Sequence, residues 1–443
     1  MRILLVGDDA VAHAVAEQLA KNCELYALMQ KPNPGITKAT QQSYVCDFSN
    51  IEVIGSWALR QKIDLVFITA KEALYAGLTD ALQDAGLKVA SPSMAAASIG
   101  NNRAYARTML RAFVRFPRYA ICKDAKAVKN ALKDFNRFLL KPTIRSEWQA
   151  LRIAESKDEK VVLTQATKLI KRHGSVVIEE YADGEEFTIQ AISDGKNVSI
   201  FPPIRVAKHA LDGDVGDNTE GMASYSTGNL LSFLAEDDFR SAKVMVEKII
   251  AVLRAKGTEY KGLLHARFII SAKGIKLVDL ESSFGNPEGI NCMAILKTQF
   301  SDVLQDIVNG RLQTISFSDK PTVVKYAVPK EYPAESKKKS KNYGELGLDE
   351  KKIWDNGCKY YFEGIEKKDE KLFLTNKRAV AMFASCETLE EAEQRVSTAL
   401  ATLIGSIRWR QDVATKQYVD KRMKRASALK GSFLYLKPVV RKS

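Results

Sequence analysis

The sequence predicts a mixed α/β and α+β protein. A parallel-sheet domain covers residues 1–98, an antiparallel α+β domain covers 99–320, and a smaller α+β domain with a basic tail covers 321–443. Three observations lead there. Short apolar strands alternate with helical patterns in the first hundred residues, as a parallel sheet requires. Hairpin turns mixed with a long amphipathic helix follow. The last segment opens on an apolar strand and carries its own helix capping box. A chain of 443 residues also exceeds what one ordinary core holds.

Taken in order, Arg2–Gly7 is a buried-strand pattern leading into a helix over Ala10–Lys21. Asp64–Thr69 is a second apolar strand, followed by a helix over Glu72–Ala85 and a strand at Leu87–Ala90. Phe138–Lys141 and Ser175–Tyr181 read as strands. The pair Asp194-Gly195 turns a hairpin between Phe187–Ser193 and Val198–Phe201. Over Asp237–Gly257, residues Phe239, Ala242, Val246, Ile249, Ile250 and Leu253 share one helical face. A second hairpin joins Arg267–Ser271 to Ile275–Leu280 through Lys273-Gly274. Val323–Pro329 begins the last domain, the lysine-rich stretch 335–342 is a loop, and Thr388–Glu391 opens a helix reaching about Ile407.

Composition narrows the chemistry. The six cysteines are scattered with no CxxC pair, which argues against a disulfide framework and a structural zinc site. Four histidines (His13, His173, His209, His265) stand at no ligand spacing from one another. Catalysis would therefore rest on carboxylates, lysines and a magnesium–nucleotide complex. No apolar run approaches the ~20 residues of a membrane span, and the first seven residues are too short for a signal peptide. A cytoplasmic chain is expected. The net charge of +14 is concentrated in the tail from Tyr418 and in lysines 337–341. With only Phe433 and Tyr435 to stack on bases there, it reads as solvated charge and not as a specific nucleic-acid surface.

The informative residues lie in the middle domain. Glu179, Glu180 and Glu186 flank a turn at Gly184. About a hundred residues later, Asp279 and Glu281 precede Phe284-Gly285-Asn286-Pro287-Glu288. Residues i and i+2 of a strand share a face, so these two carboxylates point the same way. They suit a hard cation with oxygen ligands, or they are two solvated carboxylates on an exposed face.

Together these segments resemble the ATP-grasp ligases, and specifically phosphoribosylamine–glycine ligase of the archaeal type, over essentially the whole chain. Asn33-Pro34-Gly35 is similar to the family's NPG. Ala76-Gly77-Leu78 and Ser91-Pro92-Ser93 resemble the segment bounding the phosphoribosylamine pocket. Asp212–Met222 is similar to DGDxGPNTGGM, and Phe284–Glu288 to FGDPE. Val323–Pro329 and Trp409–Val413 resemble VVKYxVP and YRxDI. The resemblance implies a Rossmann-like (pre-ATP-grasp) domain, an ATP-grasp domain and a small C-terminal domain. It implies ATP with magnesium or manganese, glycine and phosphoribosylamine as substrates, and a monomer or homodimer without nucleic-acid or membrane partners. In the family, ATP phosphorylates the glycine carboxylate and the amine attacks the acyl phosphate, a step of purine biosynthesis.

Residue by residue, the resemblance puts Lys141 where a family lysine reaches the nucleotide phosphates. Arg103 replaces a lysine of similar role, and Lys208 is a third candidate catalytic cation. Glu179, Glu180 and Glu186 match positions that hold adenine and ribose. Asp279 and Glu281 replace a metal-binding glutamate and asparagine. Gly7, His13, Asn218, Thr219, Asn286, Pro287 and Glu288 are the candidate substrate contacts, with His13 equally readable as a helix residue facing the sheet.

The departures are specific. Lys141-Pro142-Thr143-Ile144-Arg145 and the residues after it contain no glycine, where the family has GGKGV. A loop with side chains cannot lay its amides as closely on phosphates. Arg267 stands where the archaeal pattern has a metal-site glutamine, and is expected to pair with Asp279 or Glu281. Asp8 and Asp9 would repel a phosphate, and Lys71, Arg205 and Ser283 replace other family residues. The alternatives to a working ligase are a ligase with another substrate, or a degenerate homologue that binds a ligand or partner.

Overall fold

The computed structural model describes residues 1–145, 153–154, 159–333 and 343–434. The loop beyond Arg145, the lysine-rich stretch 335–342 and the end of the basic tail lie outside the described residues or largely so. Residues 2–89 form a five-stranded parallel sheet in the order Gln42–Val45, Glu24–Met29, Arg2–Val6, Leu65–Ile68, Lys88–Val89. The strand order reverses beside Arg2–Val6. The C-terminal ends of that strand and of Leu65–Ile68 therefore open a crevice suited to ligands. Gly7 is required there by close packing: a Cβ on it would lie 2.0 Å from the Thr69 hydroxyl.

One helix differs from the sequence reading. Residues 72–85 are two helices, Lys71–Tyr75 and Leu78–Asp84, separated by Gly77 at φ 87°. A left-handed glycine interrupts the helical path, although the apolar spacing runs across it.

The middle domain holds two antiparallel sheets. One has the order Tyr119–Cys122, Val176–Glu180, Phe138–Pro142, Ile153–Ala154. Val128, Ala131, Val162 and Ala166 from two helices pack on it. The other has the order Val198–Ile200, Glu185–Asp194, Lys261–Ser271, Gly274–Glu281, with the amphipathic helix Glu236–Ala255 against it. The short helix Arg103–Leu110 lies at their junction. Its Arg107 reaches Glu179 on the first sheet and the Val278 carbonyl on the second.

A third sheet crosses the 320/321 division. Its order is Arg205–Leu211, Val215–Ser226, Thr322–Pro329, Val380–Ser385, Lys359–Phe362, with Ala223 paired to Lys325 across the division. The last domain thus shares its sheet and its core, through Tyr225, Val323 and Val380, with the middle one. Thr388 caps the helix Leu389–Ala401 by accepting from the Glu391 amide at 3.2 Å. That helix stops before Ile407 because Ile407–Arg408 pairs as a strand with Val328–Pro329. The chain then forms the helix Lys416–Leu434. Arg422 of this helix is buried against Asp214 and Glu185, so part of the basic tail is matched internally instead of being solvated. Among the described residues no helix is long and apolar enough to cross a membrane.

Candidate active site

The strand Phe138–Pro142 runs antiparallel to Val176–Glu180, with Leu139 opposite Glu179 and Lys141 opposite Val177. Lys141 and Glu179 therefore lie diagonally on one face, within reach of each other. The Lys141 ammonium and the Arg107 guanidinium each take one oxygen of Glu179. All three residues are 1% exposed. Burial pushes Lys141 down to about 8, with Glu179 pulling the other way. Glu180, the next residue, faces the opposite side and pairs with Arg118 at 2.8 Å and Lys276 at 3.8 Å.

The second sheet supplies the neighbouring cluster. Arg267 stands directly across from Asp279 in register, and their side chains meet at 2.9 Å. Arg103, one turn before Arg107, donates to the Pro142 carbonyl at 2.8 Å and lies 3.6 Å from Asp279. Arg145 spans both acids, donating to Glu281 at 2.6 Å and contacting Asp279. Lys71, at the crevice of the parallel sheet, lies 3.6 Å from Glu281. The expectation that Asp279 and Glu281 face one way holds in the geometry, and so does the pairing of Arg267. Burial alone would raise the Asp279 carboxyl. Arg145, Arg103 and Arg267 outweigh that and hold it well below the usual range. The pull of Glu281 raises Lys71.

These distances decide what the cluster can hold. A divalent cation would need free carboxylate oxygens, yet Asp279 Oδ2 already has three guanidiniums within 3.6 Å. An ion about 5 Å from each would be repelled by about 7 kcal/mol per guanidinium at an effective dielectric of about 20. Among the described residues no group of three or more His, Cys, Asp or Glu could hold a metal ion. Asp279 and Glu281 do not fit magnesium or manganese. The balance of charge here is positive. Six cations (Lys71, Arg103, Arg107, Lys141, Arg145, Arg267) surround three carboxylates (Glu179, Asp279, Glu281). The Nε donors of Arg103, Arg107, Arg145 and Arg267 have no partner.

Beside this cluster, Lys208 pairs with Glu186 at 2.6 Å, and Arg205 donates to the Glu186 carbonyl at 2.9 Å. Thr219 accepts from the Gly221 amide and donates to the Lys208 carbonyl, while Asn218 is exposed. Glu288 is buried, 3.3 Å from His265.

The remaining candidates meet at the start of the helix Ala10–Leu19. Asp9 caps it by accepting from the Ala12 amide at 2.8 Å. Glu363, from the last domain, accepts from the Ala10 amide at 2.8 Å and is held by Arg378 at 2.8 Å. Asn286 donates to Asp9 at 3.0 Å and to Glu363 at 3.1 Å, and accepts from the Tyr326 hydroxyl at 2.5 Å. Its neighbour Pro287 lies under Gly221, whose Cβ would come within 2.6 Å of the proline ring. Burial and the nearby Glu363 push Asp9 up to about 7. An internal carboxylate thus holds the helix amide that a ligand phosphate would use.

His13 contacts the strand that leads into Glu363. Its Nδ1 accepts from the Phe362 amide at 3.0 Å and its ring stacks on Phe362 at 5.9 Å, while burial lowers it to about 4. Gly35 makes room for that ring, 1.8 Å from where its Cβ would be. The histidine therefore joins the first and last domains. Sequence reasoning missed Arg107, Glu363 and Arg378. Arg107 lies one helical turn after Arg103 on the same face, a signal that could have found it. Glu363 and Arg378 arrive through long-range sheet pairing and left no local mark.

Comparison with known proteins follows the same outline. The phosphoribosylglycinamide synthetase N domain matches residues 1–100, and the phosphoribosylglycinamide synthetase ATP-grasp (A) domain matches 101–289. The phosphoribosylamine–glycine ligase of Methanosarcina barkeri is 33% identical over 443 residues, covering 97% of this chain and all of that protein. Its counterpart in Methanobrevibacter smithii is 35% identical over 434 residues, covering 96% of this chain and 98% of that one. Among solved structures, the phosphoribosylamine–glycine ligase of Thermotoga maritima superposes with a TM-score of 0.78 at 19% identity. That match covers 93% of this chain and 100% of the other.

Proposed function

This chain belongs to the phosphoribosylamine–glycine ligase family of ATP-dependent, carbon–nitrogen bond-forming ligases, and from that premise we propose that it joins glycine to phosphoribosylamine. In that reaction the glycine carboxylate attacks the γ-phosphorus of ATP and ADP leaves. The amine then displaces inorganic phosphate from the acyl phosphate and gives up a proton. The chain's own part is charge placement and exclusion of water. Arg103, Lys141, Arg145 and Arg267 would lie along the phosphates, where fixed cations offset charge on the transferring group. The observation that carries the reading is the buried excess of cations at the junction of the two middle sheets, on a chain of which 97% is matched by a member of the family.

The test is ADP release with glycine and phosphoribosylamine, with the product identified by mass. Bound ATP with no ADP release in the presence of both substrates would remove the reading. Asp9 and Glu363, two carboxylates at the helix start, favour as a second reading an amine substrate without a phosphate. Turnover of such an amine in place of phosphoribosylamine would establish it.

A further inference from the structure

The carboxylates that a divalent ion would need are consumed by arginines, and the arginines are in excess. We infer that this site binds the oligophosphate of its nucleotide directly on guanidinium groups, with no divalent cation held by the protein. The inference rests on the nucleotide reading above and deepens it.

The geometry supports this in three steps. Arg145 bridges Asp279 and Glu281, closing the gap in which an ion would sit between them. Arg267 occupies the cross-strand position facing Asp279, so a third oxygen ligand cannot come from that strand. Arg103 approaches Asp279 from the helix, and its Nε, on a side chain more than nine-tenths buried, lacks any partner. A guanidinium has five N–H donors in a planar fork, and two carboxylates cannot saturate three such forks. The unused donors are shaped for phosphate oxygens, which arginine takes in bidentate pairs. The six cations around three carboxylates keep a net charge of +3, more than a divalent ion would bring, and because they are part of the fold their supply is independent of metal concentration.

The test uses the full chain, with ATP and inorganic tripolyphosphate titrated calorimetrically, first in EDTA and then with magnesium chloride. The expected result is binding in EDTA that does not strengthen when magnesium is added; magnesium chelates the phosphates in solution, so the affinity stays level or falls. In EDTA, Arg145→Gln and Arg267→Gln should each weaken tripolyphosphate by ~10-fold, since each removes a charge-assisted contact. Arg145→Lys, which keeps the charge and loses the fork, should fall between. ATP binding that appears only with magnesium would overturn the inference and leave the nucleotide reading standing. ATP binding in neither buffer would overturn both. The comparison of buffers uses the unaltered protein, so it holds even if an arginine variant folds poorly.

Discussion

Asp279→Asn separates the two ways of reading the carboxylate pair. The substitution keeps shape and volume and removes one charge, so no cavity contributes. In the structure Asp279 is buried with Arg267 at 2.9 Å and Arg103 at 3.6 Å, and Arg145 is also in contact. At an effective dielectric of about 20, those two distances correspond to gross attractions of about 6 and about 5 kcal/mol. Desolvation offsets most of that, and breaking a buried pair from one side costs ~3–5 kcal/mol net. Three guanidiniums left facing one another put the variant in that range. It would be lost from a total stability of ~5–15 kcal/mol. The assay is urea unfolding followed by circular dichroism, in EDTA and in magnesium. The expected outcome is a large drop in midpoint for Asp279→Asn in EDTA, no stabilisation of the unaltered protein by magnesium, and partial rescue of the variant by tripolyphosphate. A vacant metal site behaves oppositely. Two unshielded acids repel, so the variant would be as stable as the parent in EDTA, and magnesium would stabilise only the parent. That pattern would refute the reasoning.

Other outcomes follow from the same contacts. Glu179→Leu strands Lys141 and Arg107 without their shared acid and should cost ~3–5 kcal/mol, while adding Lys141→Met should recover part of it in a double-mutant cycle. The triple change Arg267→Gln, Asp279→Glu, Glu281→Asn should make nucleotide binding magnesium-dependent; unchanged calorimetric titrations would deny that Arg267 fills the metal position. Asp9 titrates at about 7 in the fold against ~3.9 when unfolded. The folded state therefore binds the extra proton between those values, and this stabilisation is present below about 4 and lost as pH rises through about 7. Asp9→Asn keeps the helix cap and should flatten that slope, raising stability at pH 8 by ~1–2 kcal/mol, a value below the full linkage limit because the carboxylate is only partly buried. Lys141 shows the opposite sign: its folded value of about 8 lies below the ~10.4 of a free lysine. Stability should rise with pH across that interval, and Lys141→Met should abolish the rise in unfolding midpoints.

Local periodicity carried much of the fold. Buried runs such as Arg2–Val6 and Leu65–Ile68, the Asp194-Gly195 hairpin and the Thr388 cap all appear where short-range pattern puts them. The failures are equally physical. The helix over 72–85 breaks because Gly77 adopts a left-handed conformation that apolar spacing cannot reveal. The helix after Thr388 ends early because Ile407 is recruited to a strand by Pro329, more than seventy residues away. Buried Arg422 was indistinguishable from its solvated basic neighbours, since charge runs do not say which member finds an acid.

The sequence by itself determined the family, the order of its N and ATP-grasp domains, and the shared face of Asp279 and Glu281, because motif order and a two-residue strand period are properties of the chain alone. It also determined that an arginine stands at position 267. Only the tertiary structure decided what that arginine accomplishes. Arg103 and Arg145 come from separate segments and Lys71 from another domain, and all converge on the same two carboxylates. Glu363 likewise reaches the first helix from the far end of the sequence. Whether a carboxylate is free for a metal depends on every cation within a few ångströms, and that neighbourhood is set by folding rather than by spacing.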